Sequence, residues 1–116
     1  MTFDVEMMLR HDPRVFTEQI RYDTEPRAWT KDDVDAVLKK ILRAVEHVLD
    51  PAGAGDRLVS LRGMNWIVSP HAKGVVIAIE IHSASAVAGP FDIPQADLER
   101  LMARVFQSAQ PRTTVH

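Results

Sequence analysis

The sequence predicts an α+β fold in which two amphipathic helices pack on one face of a small antiparallel sheet. Residues 75–83 place apolar side chains at every second position, which is the period of a β-strand. Residues 31–50 and 94–108 instead carry apolar side chains three and four positions apart, which is the period of an amphipathic helix. With a hairpin partner before residue 75 and a strand near the amino terminus, the predicted order of elements is β-α-β-β-α.

Length, composition and charge describe an ordinary globular protein and exclude several classes of function. The 116 residues are expected to form a single domain, 1–116, with loosely ordered ends at 1–13 and 109–116. The net charge of -2 and the lack of a basic stripe argue against a nucleic-acid partner. Without cysteine the chain forms no disulfide and no thiolate metal site, which fits the reducing cytoplasm where we expect it to act.

A membrane partner is also not expected. No apolar stretch is long enough to cross a bilayer. Asp4 and Glu6 interrupt the amino-terminal segment, which argues against a signal peptide.

The first predicted element is a strand near the amino terminus. Phe16, Ile20 and Tyr22 alternate as they would in an edge strand, which is the preferred interpretation. Glu18 would then share their apolar face. The alternative is a short helix that pairs Phe16 with Ile20.

The first helix, over residues 31–50, has a well-defined start. Thr30 is a good N-cap, and Asp33 three residues later completes a capping-box pattern. Trp29 precedes the cap and is placed to pack against Val34 in the first turns. A proline and a glycine-rich run directly after residue 50 end the helix.

The next two strands are predicted to form a hairpin. Residues 57–69 are rich in strand-forming side chains, but their alternation holds only if one residue is skipped at Gly63, which predicts a β-bulge. The turn at 69–74 then leads into the strand at 75–83. A right-handed crossover would place that last strand in the middle of the sheet.

The last predicted element is the second helix. Residues 83–90 are small and hydroxyl-bearing, and they are interpreted as a connector. Pro94 lies in the first turn of the helix that follows, whose apolar stripe faces the sheet.

No catalytic or cofactor motif is present, so we predict no cofactor. The residues that could do chemistry are Arg62, Asn65, Glu80 and His82, which supply a cation, an amide, a carboxylate and an imidazole on the outer face of the hairpin. Glu80 and His82 have the spacing of two metal ligands on a strand, but two ligands do not make a site, and no metal is predicted. The simpler interpretation is a solvated surface with a cross-strand ion pair.

Two functions follow from this surface. The leading hypothesis is a small cytoplasmic interaction or accessory protein that acts as a homo-oligomer through the sheet edge or the uncovered sheet face, where Ile67, Val76 and Ala78 would be exposed. The alternative is a small-ligand-binding protein, or an enzyme without a recognisable motif, that uses Arg62, Glu80 and His82. The sequence names no substrate, reaction or partner.

Overall fold

The computed structural model describes residues 1–50 and 64–109 of the chain. Within these residues it has five strands and two α-helices. In chain order they are β1 (Thr2–Leu9), β2 (Val15–Arg21), α1 (Lys31–Leu49), β3 (Asn65–His71), β4 (Gly74–Glu80), β5 (Ala84–Phe91) and α2 (Gln95–Ala109). The α+β class, the antiparallel sheet and the two helices on one face are therefore confirmed.

The strands form one antiparallel sheet in the order β2-β1-β5-β4-β3. β1 and β2 make an amino-terminal hairpin, and β3, β4 and β5 follow one another as a meander. Within the described part of the sheet, these two parts are joined by the pairing of β1 with β5, in which Val5 lies opposite Ala88 and Met7 lies opposite Ala86. The central strand of the sheet is thus β5.

The predicted order β-α-β-β-α was wrong because two strands were missed. Thr2–Leu9 forms β1, although residues 1–13 were expected to be a loosely ordered end. Ala84–Phe91 forms β5, although residues 83–90 were interpreted as a connector. At the other end, residue 109 closes α2, and residues 110–116 lie outside the described part of the chain.

The remaining strand predictions have mixed outcomes. The segment around Phe16 and Ile20 is a strand, β2, and it lies at a sheet edge as predicted. β4 lies in the interior of the sheet, but its neighbours are β5 and β3 and not the amino-terminal strand. The predicted bulge at Gly63 lies outside the described residues.

Helix α1 begins as the sequence predicts. The Thr30 hydroxyl accepts a hydrogen bond from the backbone N–H of Asp33 at 3.4 Å, and the Asp33 carboxylate accepts one from the backbone N–H of Thr30 at 2.8 Å. The Tyr22 hydroxyl also donates to Asp33, at 2.7 Å. This bond raises the pKa of Tyr22 to about 12 and lowers the pKa of Asp33, because the neutral phenol donates to the ionised carboxylate.

The core lies between the helices and the inner face of the sheet. β5 presents Ala84, Ala86 and Ala88 to this core, and such short side chains leave room for α1 against the middle of the sheet. A shift in the β4–β5 register then brings Phe91 inward, where it is fully buried. The Phe91 ring makes edge contacts with Phe3 at 4.9 Å and with Trp29 at 5.1 Å, measured between ring centroids.

The register of β4 can be tested by truncating one inner-face side chain. Ile79 is only 4% exposed, so Ile79→Ala should lower the free energy of unfolding by about 2 to 5 kcal/mol through lost burial and a cavity. Ile67→Ala on β3 is the matched control, because Ile67 is 58% exposed and its truncation should cost about 0.5 kcal/mol or less. Urea unfolding in dilute solution gives both values, and equal losses would contradict the register.

The Tyr22–Asp33 hydrogen bond predicts a pH-dependent contribution to stability. The pKa of Asp33 is lowered on folding, so this contribution is complete above the unfolded pKa of about 4 and falls as the pH drops through the folded value. The pKa of Tyr22 is raised on folding, so the contribution is complete below about pH 10 and falls as the pH rises through about 12. Tyr22→Phe should therefore be destabilising near neutral pH, with the difference from the parent protein shrinking at both extremes. A difference that is constant across the whole range would contradict this pairing.

Candidate functional site

The outer face of the sheet is the surface opposite the helices. It is formed by the alternate strand residues that point away from the core, and one row of them crosses four strands. Glu6 of β1 lies opposite Val87 of β5, Val87 lies opposite Ala78 of β4, and Ala78 lies opposite Ile67 of β3. Directly opposite side chains on neighbouring strands lie about 5 Å apart, so this row forms a continuous surface.

The large exposed hydrophobic side chains are concentrated on the outer face. In the described part of the chain there are four of them, and all four lie here: Met8 (46% exposed), Val15 (56%), Ile67 (58%) and Val87 (41%). Val76 and Ala78, which were expected to be exposed beside Ile67, are half-buried. The outer face therefore mixes apolar and charged side chains, which is the composition of a protein interface.

A cleft of about 640 Å³ opens at one end of this face. Its outer-face wall is a row in which Met8 lies opposite Ser85, Ser85 lies opposite Glu80, and Glu80 lies opposite Asn65. The cleft is completed by Leu9, Ile81 and Ala84, whose side chains pack with the core, and by the turn residues Arg10 and His82. The volume lies within the usual range of small-molecule sites.

Three of the four predicted site residues line this cleft. Asn65 and Glu80 face each other across β3 and β4, and His82 lies in the turn that follows β4. The prediction placed His82 on the strand itself, but β4 ends at Glu80. Arg62, the predicted cation, lies outside the described residues.

The structure supplies a different cation, Arg10, which the sequence analysis did not select. Arg10 directly follows β1, and its backbone N–H donates to the Ser83 carbonyl at 2.9 Å. Its guanidinium Nη1 donates to the His82 carbonyl at 3.4 Å. These bonds hold the end of β1 against the β4–β5 turn. The alternating pattern of β1 was the sequence signal that could have identified this strand, and with it the position of Arg10 at its end.

Arg10 and Glu80 carry opposite charges in one cleft, yet they do not pair with each other. Among the described residues, no salt bridge within 4.0 Å involves either side chain, and the Glu80 carboxylate accepts no hydrogen bond. Both heads therefore remain available to a ligand. The cleft can present a positive and a negative group at the same time.

The β1–β2 turn near this end of the sheet contains an ion pair between Arg14 and Asp12. Arg14 Nη2 lies 2.8 Å from Asp12 Oδ2 in a two-pronged contact. The hydrogen bonds from Arg14 lower the pKa of Asp12 to about 2. The charges of Asp12 and Arg14 are therefore already paired with each other.

Two properties of the described residues bear on possible metal and membrane partners. No group of three or more histidine, cysteine or carboxylate side chains is arranged to hold a metal ion in residues 1–50 and 64–109. Neither α1 nor α2 combines the length and the apolar character that crossing a membrane requires.

Comparison with known proteins adds no further constraint. No family model, no curated protein and no solved structure matches this chain. The function is therefore argued from the outer face and the cleft.

Proposed function

We propose that this protein is a small cytoplasmic interaction protein that works as a homodimer, with two copies joined through their outer faces. The observation that carries the proposal is that all four large exposed hydrophobic side chains of the described residues lie on this one face. Grouped exposed apolar side chains of this kind mark interaction surfaces, whereas scattered ones do not.

The face is better suited to association than either edge of the sheet. At the β3 edge, the Gln95 side chain donates to the Val68 carbonyl at 3.1 Å, and Pro70 has no N–H to offer. At the β2 edge, Glu18 points to the same side as Phe16 and Ile20, and an inward-pointing charge discourages the addition of another strand. Both edges thus carry features that oppose strand pairing.

A two-fold axis along β5 would set a second copy on the face without bringing like charges together. Such an axis sets Val87 against Val87 of the other copy and lays β1 over β4. By register, Glu6 then faces Ala78, and Asp4, next along β1, lies over the Val76 end of β4. No acidic side chain is set against another, so the arrangement avoids the repulsion that like charges would cause.

The area of the outer face is also of the same order as the area that each partner buries in a standard interface. Five strands about 4.8 Å apart and about seven residues long cover roughly 24 Å by 23 Å, or about 550 Å² before side-chain relief is counted. Standard interfaces bury about 800 Å² of accessible surface per partner. Covering the whole outer face would bring a dimer close to that size.

A positive charge placed at Ile67 on the outer face should abolish the dimer. Ile67→Lys should convert the protein to a monomer at micromolar concentration, because a second copy would have to bury the new ammonium group. Ala103→Lys, exposed on α2, is the matched control and should remain a dimer. Light scattering after gel filtration reports both masses. A monomeric parent protein, or a dimeric Ile67→Lys variant with the parent's stability, would refute the proposal.

Chemical cross-linking of cysteine variants tests the position of the two-fold axis. The chain has no cysteine, so Val87→Cys introduces a single thiol. Packed sheets lie about 10 Å apart, too far for a direct disulfide, so a short bis-maleimide is the appropriate reagent. It should link Val87→Cys chains in pairs and leave Ala103→Cys chains unlinked. Equal linking of both variants would place the interface elsewhere.

A further inference from the structure

The cleft at the end of the outer face combines features of a site for a small charged molecule. Arg10 stands on one side of it and Glu80 on the other, and β1 and β4 are separated by β5. Two strand spacings put the two backbones about 10 Å apart across the sheet. Both residues line the cleft and form no ion pair with each other, so a short ligand could bridge them.

Each charged head has free capacity for a ligand. The Arg10 guanidinium uses one donor on the His82 carbonyl, at the long distance of 3.4 Å, and its remaining N–H groups can hold a carboxylate in a two-pronged contact. The Glu80 carboxylate has no partner among the described residues. Asn65 and Ser85 lie opposite it on the neighbouring strands, so an amide and a hydroxyl can complete the hydrogen bonding of an ammonium group.

The rest of the cleft is suited to an apolar group. Met8 is 46% exposed on the same face as Glu80 and lines the cleft with a flexible, polarisable side chain, whereas Leu9, Ile81 and Ala84 pack with the core. A ligand that bridged the two charges would therefore lay its uncharged part against Met8. This is the usual division of labour in small-molecule sites, where a few polar groups orient a ligand that is bound on an apolar surface.

We infer that the cleft binds a small zwitterion of the amino-acid type, with its carboxylate on Arg10, its ammonium group on Glu80 and its aliphatic side chain against Met8. A ligand with only one charge would leave the other protein charge without a partner. A zwitterion satisfies both, and the selectivity of the site follows from that difference. Both charged residues belong to one chain, so the site is complete in the monomer. In the proposed dimer Met8 of the other copy would lie over Glu80, so ligand binding and dimer formation compete.

The test uses three probes that share one aliphatic group. L-Leucine carries both charges, isocaproate lacks the ammonium group, and isoamylamine lacks the carboxylate. Calorimetric titration of the full chain should show leucine binding at least tenfold more tightly than either singly charged probe. Amide NMR spectra should place the leucine-dependent shifts at residues 8–10, 65 and 80–85. The monomeric Ile67→Lys protein should bind leucine at least as tightly as the parent does, which separates this test from that of the dimer.

Substitutions of Arg10 and Glu80 then test which group of the ligand each residue binds. Arg10→Gln should weaken leucine and isocaproate at least tenfold while leaving isoamylamine unchanged, and Glu80→Gln should weaken leucine and isoamylamine while leaving isocaproate unchanged. Arg21→Gln and Glu6→Gln, which remove charges elsewhere on the outer face, are the controls and should change nothing when made in the monomeric Ile67→Lys protein. Absence of saturable leucine binding at millimolar concentration, or equal affinities for all three probes, would overturn the proposal.

Discussion

The pairing of β1 with β5 is the constraint on which the rest of the structure depends. It joins residues near the amino terminus to residues late in the chain, with Asp4 opposite Gly89 and Leu9 opposite Ala84 at its ends. Without it, the β1–β2 hairpin and the β3–β4–β5 meander would be separate small sheets, and a two-stranded hairpin is marginal by itself. The pairing also lets α1 pack against β1, β2 and β5 together, which closes the core over both parts.

The outer face and the cleft are both products of this pairing. The outer face becomes broad enough for a partner only when β1 and β2 extend the meander, and Met8 and Val15 then join Ile67 and Val87 on one surface. The cleft arises because the end of β1 delivers Arg10 to the β4–β5 turn. A contact that stabilises the sheet thus also places a cation opposite Glu80. Stability and the proposed binding chemistry depend on the same ladder.

The elements that could be predicted from the sequence are those specified by local residues. Helix α1 was placed to within one residue because Thr30 and Asp33 encode its cap locally. β5 was missed because Ala84, Ala86 and Ala88 have weak strand preference, and the tertiary fold selects them for their small size under α1. β1 does carry a strand period. Its acidic residues Asp4 and Glu6, which interrupt the apolar segment, are the outward-facing positions of this strand. Asn65, Glu80 and His82 could be grouped from the hairpin alone, whereas Arg10 could not be added without β1.

The most direct measurement of the β1–β5 pairing is the set of cross-strand NOEs in the NMR spectrum of the full chain. Backbone NOEs should link Val5 to Ala88 and Met7 to Ala86, and the amides of this ladder should exchange with solvent as slowly as those of β4. Fast exchange in β1 would contradict the pairing. A ladder shifted by one residue would also contradict it, because that shift would turn Phe3, Val5 and Met7 out of the core onto the outer face.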